Sequence, residues 1–166
     1  MRKGHWQFGV LWAAAGFALL LSLPADAQSK ADSDTREINA YRLTDAALAK
    51  YTQARHNVEA QAGKAAGNCD QEDSDNGKSI DQMVAKLNAT AGVRAAIQSA
   101  GMTPREFVVF SLSVFQAGMA DWALSQPGGK LAPEVAMQNV TFYRKHQAEM
   151  KKIGESAKAS ECDDNE

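Results

Sequence analysis

Apolar residues recur at helical spacing along most of the chain after residue 43, and no stretch alternates with period two for long enough to predict a strand. A first helix is expected to begin after Thr44, which is a suitable N-cap. A second helix is expected to begin at Ser79, because Ser79 and Gln82 form a capping-box pattern. A short third helix is expected over about residues 92–99.

The next segment carries the clearest local signal in the chain. Thr103 can cap a helix, Pro104 fits the first helical position, and Glu106 can return a hydrogen bond to the threonine amide. The helix predicted over about residues 104–125 has no charged side chain among the 14 residues 107–120. A helix that is apolar on every side is expected at the buried centre of a bundle, and 14 uncharged residues are fewer than the roughly 20 that span a membrane.

A last helix is expected to begin near Pro133 or Asn139 and to run to about Lys158. Its inner stripe consists of Val140, Tyr143, His146, Met150 and Ile153. Together these elements predict an all-α fold, a bundle of four or five helices around the 104–125 helix. The predicted organisation is a flexible tether over 28–43, the helical domain over 44–158 and an acidic tail over 159–166.

The first 27 residues have the layout of a secretory signal. Arg2 and Lys3 precede an apolar, uncharged run of 16 residues over 8–23, and Ala25-Asp26-Ala27 is the small-x-small pattern that a signal peptidase recognises. The run is shorter than the roughly 20 residues of a membrane span. We therefore expect cleavage after Ala27, a periplasmic or secreted location and no transmembrane helix in the mature form. The alternative is an uncleaved membrane anchor.

The charge balance of the mature chain excludes one broad class of partner. The signal would take Arg2, Lys3 and Asp26 with it, which leaves 16 basic and 19 acidic residues and a net charge of −3. A general nucleic-acid binder needs a concentrated basic surface. No nucleic-acid partner is therefore expected.

The chain has two cysteines, Cys69 and Cys162, and both lie among acidic residues. In an oxidising compartment they are expected to form one disulfide. The bond would close a loop of 94 residues and stabilise the fold by about 4–5 kcal/mol in the chain-entropy model. An intermolecular bridge and two free thiols are the alternatives. Catalysis by either thiol is not expected, because neighbouring carboxylates disfavour the thiolate.

Acidic residues on both sides of the expected disulfide suggest a weak divalent-cation cluster. Its members would be Asp70, Glu72, Asp73, Asp75, Asp163 and Asp164. A calcium loop of the EF-hand type needs a bidentate glutamate at its twelfth position. Counting from Asp73 or from Glu72 places Val84 or Met83 there, so the strict motif fails. A solvated acidic loop is the default, and no firm metal site is predicted.

Six aromatic side chains are candidates for an apolar ligand pocket or for the core: Phe107, Phe110, Phe115, Trp122, Tyr143 and His146. Because they are spread around the helices, filling the core is the favoured interpretation. Haem is conceivable only through His146 with a methionine from another helix. No cofactor is expected, apart from weakly bound Ca²⁺.

No catalytic residues are predicted. The chain has no Gly-x-Ser-x-Gly, phosphate-binding loop or dinucleotide fingerprint, and its carboxylates are spaced as surface or cap residues. Asp121, beside Trp122, is the most enclosed carboxylate in the pattern. Capping or pairing with a lysine is the favoured interpretation, and a perturbed acid is the alternative. The sequence therefore favours a protein that is not an enzyme.

The segment Gly101-Met102-Thr103-Pro104-Arg105-Glu106-Phe107, followed by an apolar helix and then by Asn139-Val140-Thr141-Phe142-Tyr143, resembles a pattern in small secreted helical proteins of Gram-negative bacteria. The resemblance covers about residues 79–153 and rests on cap and core positions, so it implies a fold and no activity. The expected function is binding, foremost to another envelope protein. The alternative is a carrier of a small apolar ligand or of haem within the bundle.

Overall fold

A computed structural model describes residues 25–62, 77–90 and 92–159 of the chain, without the side chains of 25–28, 62 and 154–159. Within these ranges it contains seven α-helices and no strand, which confirms the all-α prediction. The helices are α1 (Ala25–Ala40), α2 (Asp45–Ala62), α3 (Ile80–Ala89), α4 (Val93–Ser99), α5 (Pro104–Ser125), α6 (Met137–Lys145) and α7 (Gln147–Ala159).

Helix α5 is central, since α1, α2, α3, α4 and α6 all pack against it. The main core lies between α2, α4 and α5 and is built around Phe110, whose side chain is fully buried. Tyr51 of α2 stacks on Phe110 with a centroid distance of 4.6 Å, and Tyr41 meets the same ring edge-on at 6.3 Å. A second, smaller cluster joins α3 to α5 through Ile80, Val108 and Val109.

The helix starts predicted from local signals are confirmed. Thr103 accepts a hydrogen bond from the Glu106 amide, and the Thr103 amide donates to Oε2 of Glu106 at 2.7 Å. Ser79 and Gln82 form the same reciprocal pair at the start of α3. Thr44 accepts a hydrogen bond from the Ala47 amide at the start of α2. These caps satisfy amides that have no partner inside the helix.

The prediction of a flexible tether over 28–43 is wrong for most of its length, because residues 25–40 form α1. Tertiary contacts hold this polar helix in place. Oδ2 of Asp34 accepts a hydrogen bond from the Ile80 amide at 2.9 Å, and Glu37 forms two hydrogen bonds with the guanidinium of Arg105. The expected cleavage point after Ala27 falls inside the range of α1, while residues 1–24 lie outside the described part.

A network of charged side chains fastens α1 to α3 and α5. Asp81 of α3 accepts hydrogen bonds from Lys30 of α1 and from Arg105 of α5, the latter at 2.7 Å. The hydrogen bond from Lys30, followed by that from Arg105, lowers the pKa of Asp81. The carboxylates of Glu37 and Asp81 raise the pKa of Arg105. The polar composition of α1 is typical of a disordered segment, but charged side chains on α3 and α5 hold the helix in place.

The single last helix predicted to run to Lys158 is instead two helices, α6 and α7, that meet at His146. The backbone of His146 has φ −107° and ψ 15°, outside the helical region. Its amide still bonds to the carbonyls of α6, and its carbonyl accepts from Glu149 and Met150 of α7. The turn brings Met150 and Ile153 against the main core.

The prediction that α5 is buried on every side is wrong for its outer face. Phe115 is 68% exposed, Met119 49% and Trp122 61%. Among the described residues, α5 is also the one helix long and apolar enough to cross a membrane by length and composition. The core helix of a soluble protein passes the same test. No neighbouring helix covers this face within the described residues.

Candidate functional site

An open apolar groove runs beside the exposed face of α5 and has a volume of about 860 Å³. Helix α5 supplies one side, α7 supplies Met150 and Ile153, and α2 supplies Tyr51 and Arg55. The exposed side chains of α5 follow one another at helical spacing, at i, i+4 and i+7, so they form a single face. An exposed, contiguous apolar face of this kind is a candidate docking surface.

Gly118 sets the depth of the groove. A Cβ atom at this position would lie 3.1 Å from the ring of Tyr143, which also lines the groove. The absence of a side chain therefore lets α6 approach α5 closely. The Tyr143 ring covers the backbone of α5 at this point and forms part of the groove floor.

The six aromatic candidates separate into three groups. Phe107 and Phe110 belong to the core and stack on Tyr51, with centroid distances of 4.8 and 4.6 Å. Phe115, Trp122 and Tyr143 line the groove. For Phe115 and Trp122 the favoured interpretation as core residues is wrong, because more than half of each side chain is exposed.

His146 lies at the junction of α6 and α7, outside the groove lining. Its ring packs on Phe142 with a centroid distance of 4.5 Å, and Nε2 lies 2.7 Å from Oδ1 of Asp45. Nε2 makes no hydrogen bond of regular geometry with this oxygen. Nδ1 lies 3.4 Å from Oε2 of Glu149. The two nitrogens that could bind a haem iron therefore both face carboxylates.

Asp45 has a second basic neighbour at this junction. Nζ of Lys145 donates to both carboxylate oxygens, at 3.1 and 3.2 Å. These hydrogen bonds are the largest cause that lowers the pKa of Asp45, and the contact with His146 acts in the same direction. The junction thus ties the start of α2 to the α6–α7 turn through charge. It positions α7, which forms one wall of the groove.

Arg55 is a charged groove residue that was not predicted from the sequence. It follows Tyr51 by one turn of α2 and lines both the apolar groove and a smaller cavity of about 230 Å³. Its Nη2 lies 2.9 Å from Oε1 of Glu59 and 3.5 Å from the Ile153 carbonyl. The spacing from Tyr51 places Arg55 on the same face of α2, which is the signal that could have identified it.

Asp121 is paired, as expected for the most enclosed carboxylate in the sequence pattern. Its Oδ1 accepts a hydrogen bond from Nε of Arg144 at 2.5 Å, which links α5 to α6 beside the groove. The pair contains no nucleophile or second acid within the described contacts. It acts as a connection between two helices.

The predicted disulfide and cation cluster lie outside the described residues. Cys69, Asp70, Glu72, Asp73 and Asp75 fall in the segment 63–76, and Cys162, Asp163 and Asp164 fall in 160–166. Both remain predictions from the sequence. Over the described ranges, no group of three or more His, Cys, Asp or Glu side chains is arranged to hold a metal ion.

Comparison of the chain with protein-family models, with curated proteins and with solved structures found no significant match. The site is therefore interpreted from its own geometry. That geometry consists of an exposed apolar face, a groove beside it and two cationic side chains, Arg55 and Lys151, among the lining residues.

Proposed function

We propose that the protein is an exported, non-enzymatic binding protein whose groove receives an apolar helix of an envelope protein. The observation that carries the proposal is the exposure of Phe115, Met119 and Trp122 in one row on α5. Full burial of a Phe or Met side chain contributes about 1.5–3 kcal/mol. Covering this row would therefore supply a substantial part of the free energy of a specific complex, after the costs of association are subtracted.

The shape of the groove favours a helix as the occupant. Its α5 side extends from Ser111 to Trp122, which is about 16 Å or three helical turns at 1.5 Å per residue. An amphipathic helix presents apolar side chains at i, i+3 or i+4, and i+7 over the same length, and it docks into grooves of this kind. Export is supported by the basic start, apolar run and small-x-small pattern of residues 1–27.

A photocrosslinking amino acid placed at position 115 tests the proposal in cells of the source organism. The side chain of Phe115 is mostly exposed, so the replacement is expected to leave the fold intact. We expect ultraviolet light to yield an adduct with an apolar helical segment of an envelope protein, mapped by mass spectrometry. The same amino acid at Arg94, an exposed position on α4 outside the groove, is the matched control.

Identical adducts at both positions, or no adduct at position 115, would contradict a docking role for the groove. Addition of Trp122→Ser to the position-115 protein should abolish the specific adduct, because it removes a second apolar contact. Circular dichroism of the same sample checks that the helices persist.

A small apolar ligand is the second candidate, and the groove volume favours it. Pockets for small ligands occupy about 300–1,000 Å³, a range that includes the 860 Å³ found here. Such pockets enclose most of the ligand, whereas this groove leaves Phe115 and Trp122 open to solvent. Native mass spectrometry of protein purified from its own compartment distinguishes the two, since only a carrier retains a small molecule of defined mass.

A further inference from the structure

The charged side chains that line the groove are all cationic. Arg55 and Lys151 contribute positive charge, and no carboxylate is present among the described lining residues. Glu59, which pairs with Arg55, lines only the smaller cavity. The groove is therefore electrostatically complementary to an occupant that carries negative charge.

Arg55 also has a donor without an acceptor. Its Nε is buried and makes no hydrogen bond, while Nη2 contacts Glu59 and the Ile153 carbonyl. A guanidinium has five N–H donors in a fixed fork, and a buried donor without a partner is unfavourable. Nε itself is shielded from the groove. The side chain as a whole is 25% exposed, so an incoming carboxylate can reach the part of it that remains open.

Tyr51, one turn before Arg55 on α2, lies at one end of the groove. Its hydroxyl lies 3.4 Å from Oγ of Ser111. Ser111 marks the N-terminal end of the α5 side, whereas Trp122 marks the other end. The largest exposed apolar surface therefore lies toward Trp122, and Arg55 lies one turn of α2 beyond Tyr51.

We infer that the occupant is an amphipathic helix with a Glu or Asp side chain beside its apolar face, and that Arg55 binds this carboxylate. The inference rests on the proposed function. Arginine pairs with carboxylates through two parallel N–H donors, which fixes both position and direction. A second copy of the chain fits less well, since the carboxylates at the ends of its α5, Glu106 and Asp121, are already held by the Thr103 amide and by Arg144.

A display selection tests the inference without knowledge of the natural partner. The probe is a library of 18-residue peptides with helix-forming backbones and randomised positions on one face, selected against the protein purified from its own compartment. We expect the selected peptides to share apolar residues at i, i+3 or i+4, and i+7, with Glu or Asp at a fixed offset. Replacement of that acid by Gln or Asn should weaken binding about 10-fold, as expected for a hydrogen bond between charged groups.

Arg55→Gln is the decisive variant and Arg94→Gln the control. Arg94 carries the same charge but lies exposed on α4, outside the groove lining. Selection against Arg55→Gln should return the apolar pattern without the acid. The ratio between acidic and neutral peptides should fall from about 10 to about 1 in this variant, and it should stay near 10 in Arg94→Gln.

The outcomes separate this inference from the proposed function. Apolar peptides without an acidic preference, or a preference that survives Arg55→Gln, would overturn the role of Arg55 and leave the groove as a docking site. Failure to select any helical peptide would count against both. Dodecanoate that binds in an Arg55-dependent way while no peptide is selected would identify a small amphiphile and overturn the helix. Dimerisation abolished by Phe115→Ser would identify a second copy instead.

Discussion

Phe110 and Phe115 have the same side chain and lie five residues apart on α5, yet their surroundings are opposite. Phe110 is fully buried against Tyr51 and Tyr41, whereas Phe115 is 68% exposed beside the groove. Both belong to the same uncharged stretch of sequence. The comparison shows that an uncharged helix is not necessarily enclosed. Neighbouring helices cover one face of α5, and no helix in the described part of the chain covers the other.

The largest expected effect on the free energy of unfolding comes from replacing each of the two phenylalanines by alanine. Phe110→Ala should lower the free energy of unfolding by about 3–5 kcal/mol, because it leaves a cavity in the main core. Phe115→Ala should change it by about 0.5 kcal/mol or less, since an exposed side chain contributes little to folding. Urea unfolding followed by circular dichroism measures both. Equal losses for the two variants would mean that the outer face of α5 is covered in the protein alone.

The next largest effect on stability is expected from Asn139, a polar side chain in the packed part of the bundle. Asn139 of α6 is buried, accepts a hydrogen bond from the Leu43 amide and donates to the Tyr41 carbonyl, both at 3.0 Å. It therefore fastens the connection between α1 and α2. Asn139→Ala should cost about 1–3 kcal/mol, because two buried backbone groups lose their partners. The neighbouring variant Gln138→Ala, at an exposed position, should be nearly neutral.

If Asn139→Ala destabilises the whole fold, thermal and urea unfolding should report a similar loss of stability. Hydrogen exchange adds a local test. The Leu43 amide, which donates to Asn139, should lose protection in Asn139→Ala and keep it in Gln138→Ala. Unchanged protection at Leu43 would contradict the role of the Asn139 side chain in holding this amide.

The helix starts could be predicted because their determinants are local. Thr103 and Glu106, like Ser79 and Gln82, are three residues apart and satisfy each other without help from distant parts of the chain. Helix α1 could not be predicted in this way. Its sequence is polar, and the contacts that order it come from Arg105 and Asp81, which are distant in sequence. The break at His146 likewise depends on Asp45, a hundred residues earlier.

The candidate site was predictable only in part. Phe115, Trp122 and Tyr143 were identified as pocket or core residues, because large aromatic side chains serve either role. Whether such a side chain lies in the core or in the groove depends on which part of α5 is covered by α6 and α7. The spacing of residues along α5 does not contain this information. Arg55 was missed because a basic residue on a helix usually faces water. Its significance becomes visible only when α7 places the Ile153 carbonyl beside it.

The smallest expected effect compares the two capping boxes, which differ in one respect. The box of α5 uses Glu106, which titrates, and that of α3 uses Gln82, which does not. Hydrogen bonds from the Thr103 amide, and then from its side chain, lower the pKa of Glu106 below its ordinary value of 4.5. The charged form is thus favoured by folding. Its contribution is complete above the unfolded pKa and is lost as the pH falls through the folded pKa.

Glu106→Gln should therefore be less stable than the wild type at pH 7, by about 0.5 kcal/mol or less because the group is largely solvated. The difference should shrink as the pH falls through the lowered pKa of Glu106. Gln82→Glu should show the converse, a small gain at pH 7 that disappears once the new carboxyl is protonated. Urea unfolding over a series of acidic pH values measures the differences. A pH-independent difference for Glu106→Gln would mean that the geometry of the cap, rather than the charge on it, stabilises the start of α5.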